Sequence, residues 1–253
     1  MLGEFLREMT LEGYRVFSVE EARAVGVKTG IGPESLPYIL RELKEKRLIR
    51  TLWRGHYAIE DNILSGPPLH KFEIAMHLVP NGAISCWSAM SYYGLTDQIL
   101  SKVYILSPYD GKNKKSLYKQ SIDGSAFLLI QIYQNHFWGT RVEKIEGIKV
   151  RITDLERTLL DGLMRPKYCG GFREVMNAFY RVKDQINKDL ITKYARLCSV
   201  SAQKRLGWML ENIGVEDVRR IVLIPETHSM DKLDMSAPRR GKYNSFWMVL
   251  ENY

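Results

Sequence analysis

The chain's five histidines, three cysteines and 29 carboxylates supply its catalytic and metal-ligating groups, and their spacing composes no familiar active site. His56, His70, His77, His136 and His228 contain no H-E-x-x-H. His70 and His77 stand seven apart and share a helix face, but no third ligand accompanies them, so they read as helix-surface histidines. Gly111-Lys-Asn-Lys-Lys-Ser116 imitates the basic end of a phosphate-binding loop without its preceding glycine. No G-x-G-x-x-G follows a strand, and no G-x-S-x-G occurs. A nucleotidyltransferase needs Gly-Ser followed by paired aspartates to hold Mg²⁺. After Gly124-Ser125 the next acid is Glu143. A restriction-type nuclease needs acid-x-Lys on a strand, and Glu42-Leu-Lys44 falls inside an expected helix. Arg157 and Asp161, an i,i+4 pair beside Asp154 and Glu156, read as a structural ion pair. The expectation is a protein that is not an enzyme, with no catalytic residue, metal or cofactor.

Cations remain as the chemistry on offer. The 253 residues carry 37 Lys and Arg against 29 acids, a net charge of +8 that favours polyanionic partners. The first 65 residues hold ten basic and ten acidic side chains, yet six basic residues crowd into Arg41–Arg54 against Glu42 and Glu45. A dipolar module of this kind presents its positive end to a phosphate backbone.

Hydrophobic spacing supplies the frame for those cations. Leu2, Phe5, Leu6 and Met9 predict a first helix over Leu2–Glu12. Ser18-Val-Glu-Glu21 is a capping box opening a second helix, which ends at Gly26. Pro33 or Ser35 opens a third, with Leu36, Ile39, Leu40 and Leu43 as its buried stripe. Two extended runs, Leu48–Leu52 and His56–Ile59, flank a turn at Trp53-Arg54-Gly55. Helix, helix-turn-helix, hairpin is the plan of a winged helix, whose third helix enters the major groove. Candidate DNA contacts are Lys28 and Thr29 in the turn, Ser35, Tyr38, Arg41 and Lys44 on the third helix, and Arg50, Arg54 and His56 on the hairpin. Trp53 either packs against the module or stacks on sugar-phosphate; Arg47 and Arg50 alternatively neutralise the helix C-terminus.

Asp61–Pro68 reads as a linker, with consecutive prolines at its end. The expected fold is α+β: a winged helix-turn-helix over residues 1–62, then a larger mixed α/β domain over 69–253. Helices are expected near Leu69–Leu78, Cys86–Tyr93, Leu155–Met164, Phe172–Val182, Lys188–Cys198 and Ala202–Ile213. Extended runs are expected near Lys102–Leu106, Phe127–Tyr133, Lys149–Ile152, Ile221–Ile224 and Phe246–Glu251. Thr153-Asp-Leu-Glu156 reads as a second capping box, and Gly94 and Gly214 sit where helix C-caps belong. Lys112, Lys114, Lys115 and Lys119, with Arg239, Arg240 and Lys242, form either a solvated surface or an RNA- or partner-binding face. Cys86, Cys169 and Cys198, odd in number and far apart, fit a reducing cytoplasm. No apolar run approaches membrane-spanning length, and the charged start lacks a signal-peptide core.

The order of certain segments resembles the AbiEi antitoxin family, the antitoxin half of type IV abortive-infection toxin–antitoxin pairs. The segments are Leu43-Lys-Glu-Lys-Arg-Leu-Ile-Arg-Thr-Leu-Trp-Arg-Gly-His-Tyr-Ala-Ile59, Ala83-Ile-Ser-Cys-Trp-Ser-Ala-Met-Ser-Tyr-Tyr-Gly-Leu95, Val150-Arg-Ile-Thr-Asp-Leu-Glu-Arg-Thr-Leu-Leu-Asp-Gly162, Lys204-Arg-Leu-Gly-Trp-Met-Leu-Glu211 and Trp247-Met-Val-Leu-Glu-Asn252. The resemblance implies a phage-defence repressor binding inverted repeats of operator DNA at its own promoter, with dimerisation on that DNA. It also implies a C-terminal domain counteracting a nucleotidyltransferase-like toxin without a stable complex. A stand-alone regulator, or a nucleic-acid enzyme with a degenerate site, is the alternative.

Overall fold

Apolar residues at positions 36, 39, 40 and 43 put one stripe of a helix under cover, and in the computed structural model all four are buried. The structure describes residues 1–64, 67–109, 117–223 and 229–253, and of 117–120 the backbone alone. The amino-terminal module runs α1 (Leu2–Leu11), β1 (Val16–Ser18), α2 (Val19–Lys28), α3 (Leu36–Glu45), β2 (Ile49–Trp53) and β3 (His56–Ile59). Its three helices enclose Phe5, Met9, Phe17, Val25 and Leu43. The predicted capping box at Ser18 forms: the Glu21 N–H donates to Ser18 Oγ, and the Ser18 N–H donates to Glu21 Oε2 at 2.6 Å. Gly26 does not end α2 as expected. It is buried inside the helix with Ile31 packed where a side chain would point, and the chain turns at Gly30, φ +72°. β1 was not foreseen. At three residues it is too short to show alternation, yet it pairs with β3 and makes the hairpin a three-stranded sheet, β1-β3-β2.

The remainder continues with α4 (Lys71–Leu78), β4 (Ala83–Ile84), α5 (Cys86–Tyr92), β5 (Lys102–Tyr109), β6 (Leu117–Ile122), β7 (Ser125–Tyr133), β8 (Thr140–Ile145) and β9 (Ile148–Thr153). Then come α6 (Leu155–Met164), α7 (Phe172–Arg181), α8 (Lys188–Ala195), α9 (Val200–Asn212), α10 (Val218–Ile221), β10 (Asp231–Lys232), β11 (Lys242–Asn244) and β12 (Val249–Glu251). A mixed six-stranded sheet, order β6-β7-β5-β4-β9-β8, lies at its centre. Alternation along β5 and β7 feeds two separate cores. Tyr104, Leu106, Leu128 and Ile130 face helices α5 to α9. Val103, Ile105 and Phe127 face α4 and, beyond it, Leu52 and Trp53 of the module's hairpin. The molecule is therefore α+β, and no helix among the described residues is long and apolar enough to cross a membrane.

Three local expectations need correction. Thr153 is the last strand residue rather than a cap; Asp154, one residue later, accepts the Arg157 N–H at 2.8 Å. The Thr153 hydroxyl meets that of Thr158, and Glu156 accepts the Asn187 N–H instead of closing a capping box. Phe246–Glu251 is extended only from Val249, because Met248 adopts φ +53°. Val218–Ile221 is a short helix where an extended run was expected to begin, and Ile224 lies outside the described residues. The glycine caps form as expected: the residues after Gly94 and Gly214 donate N–H to the carbonyls of Met90 and Leu210.

Two interactions hold the helical layer. Arg157 is buried, its guanidinium 3.8 Å from the centroid of the Trp138 ring, with Nη1 donating to the carbonyls of His136 and Trp138. Its Nε lies 3.1 Å from Asp161, whose carboxylate also accepts from Arg165 Nη1 at 2.9 Å. The expected i,i+4 pair is thus a buried triad. On α9, Gly207 lies directly under Trp247, whose indole N–H donates to Glu211 at 2.6 Å. A methyl group at position 207 would overlap the ring, and a helix core cannot yield that space without moving the C-terminal strands. Gly207→Ala should lose about 2–3 kcal/mol of stability, read from the urea midpoint; an unchanged midpoint would show that the contact is not close-packed.

Candidate nucleic-acid interface

The third helix buries its stripe inward and leaves Ser35, Pro37, Tyr38, Arg41, Lys44 and Glu45 exposed. Ser35 occupies the N-cap without a side-chain capping bond, so its hydroxyl is not used by the helix. Arg41 stacks its guanidinium 5.3 Å over the Tyr38 ring and lies 3.8 Å from Glu45, a loose exposed pair of little energetic weight. Lys44 makes no ion pair among the described residues. Glu42, two residues before it, is turned to Lys46 at 2.8 Å. Arg47 takes the left-handed position closing the helix, φ 53°, and Leu48 N–H returns to the Leu43 carbonyl.

Beside this face the hairpin turn is tied to α2: the Val19 N–H donates to the Gly55 carbonyl at 2.9 Å. The tie brings exposed Arg54 next to the start of α2. Between α2, α3 and β3 runs a shallow groove of about 180 Å³, lined by Arg23, Arg41, Lys44, Tyr57 and the apolar edges of Leu36 and Pro37. Arg23 and Tyr57 were not among the candidates. Arg23 follows the second capping glutamate by two residues, where spacing alone marks only a solvated helix face; its value comes from α3 crossing beside it.

Other candidates are placed differently. Lys28 is committed to Glu12 at 2.7 Å, and that hydrogen bond holds its ammonium pKa above the ordinary lysine value. The Thr29 hydroxyl donates to the Val25 and Gly26 carbonyls and finishes α2. Arg50 is engaged within the fold. Its guanidinium donates to both Asp123 oxygens at 3.2 and 3.0 Å and to Glu60 at 3.0 Å, bridging the module to the β6–β7 turn. His56 stacks on Trp53 with centroids 4.4 Å apart, and Trp53, half-buried, packs against the core under the central sheet rather than against the core of its own module.

The presumed linker is held down as well. Arg15 Nη2 donates to the Pro67 carbonyl at 2.8 Å, and Asp61 accepts the Leu69 N–H. Arg239, Arg240 and Lys242 are exposed around β11, with Arg239 donating to the Met230 carbonyl. Lys112, Lys114 and Lys115 lie outside the described residues, as does the Lys119 side chain, so this second basic face is not assembled among them. His70 and His77 are not surface histidines. His70 Nδ1 accepts the Phe72 N–H as the N-cap of α4, and both rings are half-buried at the junction. No group of three His, Cys, Asp or Glu among the described residues is placed to hold a metal ion.

No protein-family model matches the chain, and no curated protein matches it. Among solved structures it is similar to that of the Rv2827c protein from Mycobacterium tuberculosis, with a TM-score of 0.71 and 13% identity over 98% of this chain and 90% of that one. The two share a fold. At this identity the likeness extends to the architecture and no further, and it covers both the module and the sheet domain.

The junction histidines give a pH signature. Burial holds His70 and His77 below the ordinary histidine value of 6.5; Lys71 and Arg15 add to the effect at His70 while Glu146 opposes it, and Glu21 opposes it at His77. The unfolded chain therefore takes up protons that the folded chain refuses as pH falls through 6.5, so stability is full above that value and declines below it. His77→Gln should flatten the decline in urea midpoint between about pH 7.5 and 5.5; a variant losing stability as steeply as the parent would remove His77 from the account.

Proposed function

We propose that the protein is a non-catalytic, duplex-DNA-binding transcriptional regulator whose amino-terminal module acts as a winged helix, with α3 as its recognition helix. The observation that carries this reading is the exposed row of Ser35, Tyr38, Arg41 and Lys44 on α3, flanked by a groove shared with Arg23 and by the hairpin turn bearing Arg54. An α-helix fits the major groove, where short hydroxyl and long cationic side chains reach base edges and phosphates. Arg54 reaches the backbone alongside. Arg50, Lys28 and Thr29 serve the fold instead of the DNA. One module reads a half-site, so two copies meet on a palindrome. The resemblance of the ordered segments to AbiEi antitoxins supports the narrower reading, a repressor of its own operon that counteracts a nucleotidyltransferase-like toxin without a stable complex.

The test is a salt series on operator DNA recovered by selection from random duplexes. Arg41→Ala and Arg54→Ala should each weaken binding and reduce the log–log salt slope by about 0.9 per lost phosphate contact. Arg50→Gln should lower the urea midpoint and leave the slope unchanged. If the Arg41 and Arg54 variants bind like the parent across salt, α3 and the hairpin turn are not the interface. Co-expression with a toxin encoded beside the gene, scored by growth, tests the antitoxin reading separately.

A further inference from the structure

On the face of the sheet away from the module, a cleft of about 600 Å³ opens between the end of β7, the turn joining α6 to α7, and the 234–236 loop. Its volume is that of a small-molecule site, far above a packing defect. Ile130, Met164, Phe172 and Met235 give it an apolar interior. Two cations, Arg165 and Lys167, stand on one wall. Arg165 is anchored from behind: Nη1 donates to Asp161, which is fully buried and already paired with Arg157. One carboxylate thus serves two guanidiniums. Among the described residues Nε and Nη2 of Arg165 have no partner. Lys167 forms no ion pair there, its Nζ resting 4.7 Å from the centroid of the Tyr168 ring. Across the cleft, Asp234 accepts the backbone N–H of Ser236 at 2.8 Å and its hydroxyl at 2.6 Å. Arg157, Arg165 and Lys167 against Asp161 and Asp234 leave an excess of one positive charge.

We propose that this cleft binds a small organic monoanion: an aromatic or aliphatic body in the apolar interior, with one oxyanion head on Arg165 and Lys167. A planar guanidinium whose partner on one edge is already fixed has its orientation set before a ligand arrives, which lowers the entropic cost of the contact. Apolar side chains on one part of the lining and an excess of one positive charge on the other suit a ligand with an apolar body and one negative charge. The inference uses no residue of the amino-terminal module and stands independently of DNA binding.

The probe is 8-anilinonaphthalene-1-sulfonate, titrated by fluorescence into the full-length folded protein. One dye per chain is expected, displaced by indole-3-acetate in the carboxylate arm and by phenyl phosphate in the phosphate arm. The stronger competitor identifies the preferred head group. Neutral indole and inorganic phosphate alone should displace far less. Lys167→Glu and Met235→Trp alter exposed side chains, so both variants should keep the parent urea midpoint while binding the dye about ten-fold more weakly. Parent-like dye affinity in both variants, or displacement by indole as effective as by indole-3-acetate, would overturn the proposal.

Discussion

The central sheet must be covered on both faces, and the rest of the molecule follows from that requirement. Its β5–β7 and β4–β9 pairs are parallel, and such pairs are stable when neither face meets water. Helices α5 to α9 cover one side with the larger core. On the other side α4 is too short to cover the surface alone, and Leu52 and Trp53 of the hairpin complete the layer. The amino-terminal module therefore has its own core but not its own boundary: one of its strands helps seal the domain that follows.

The polar contacts at the junction reinforce this packing. Arg50 meets three carboxylates, two from its own module and one, Asp123, from the β6–β7 turn. Arg15 spans to Glu73 and to the Pro67 carbonyl. Losing one of the three carboxylates leaves Arg50 paired with the other two, so the junction resists piecemeal loosening. The outward face of α3 takes no part in it, so the surface proposed to meet DNA stays open while the hairpin's inner edge is covered.

Much of the fold was legible because it is written in local patterns. The four-residue stripe of α3, the Ser18 capping box and the glycine caps at positions 94 and 214 depend on residues within a turn or two of one another. What was missed depends on distance along the chain. Arg50 read as an available cation because Asp123 lies 73 residues away. Trp53 read as ambiguous because its pocket is built from α4 and the central sheet. The groove residue Arg23 became visible only once α3 lay beside α2. The Asp154 cap was misplaced by one residue because threonine and aspartate are both capping residue types, and the end of β9 decides between them.

Trp53 seated under the sheet has an architectural consequence if two copies of the protein share one palindrome. A reading head on a flexible tether tolerates variable distances between half-sites. A head bolted to its own body does not. The separation of two such heads would be set by how the bodies meet, and a pair bound in the proposed way would act as a caliper. Each base pair added between the half-sites rotates one of them by about 35° around the duplex, and the bolted joint obliges the DNA, rather than the protein, to absorb that twist.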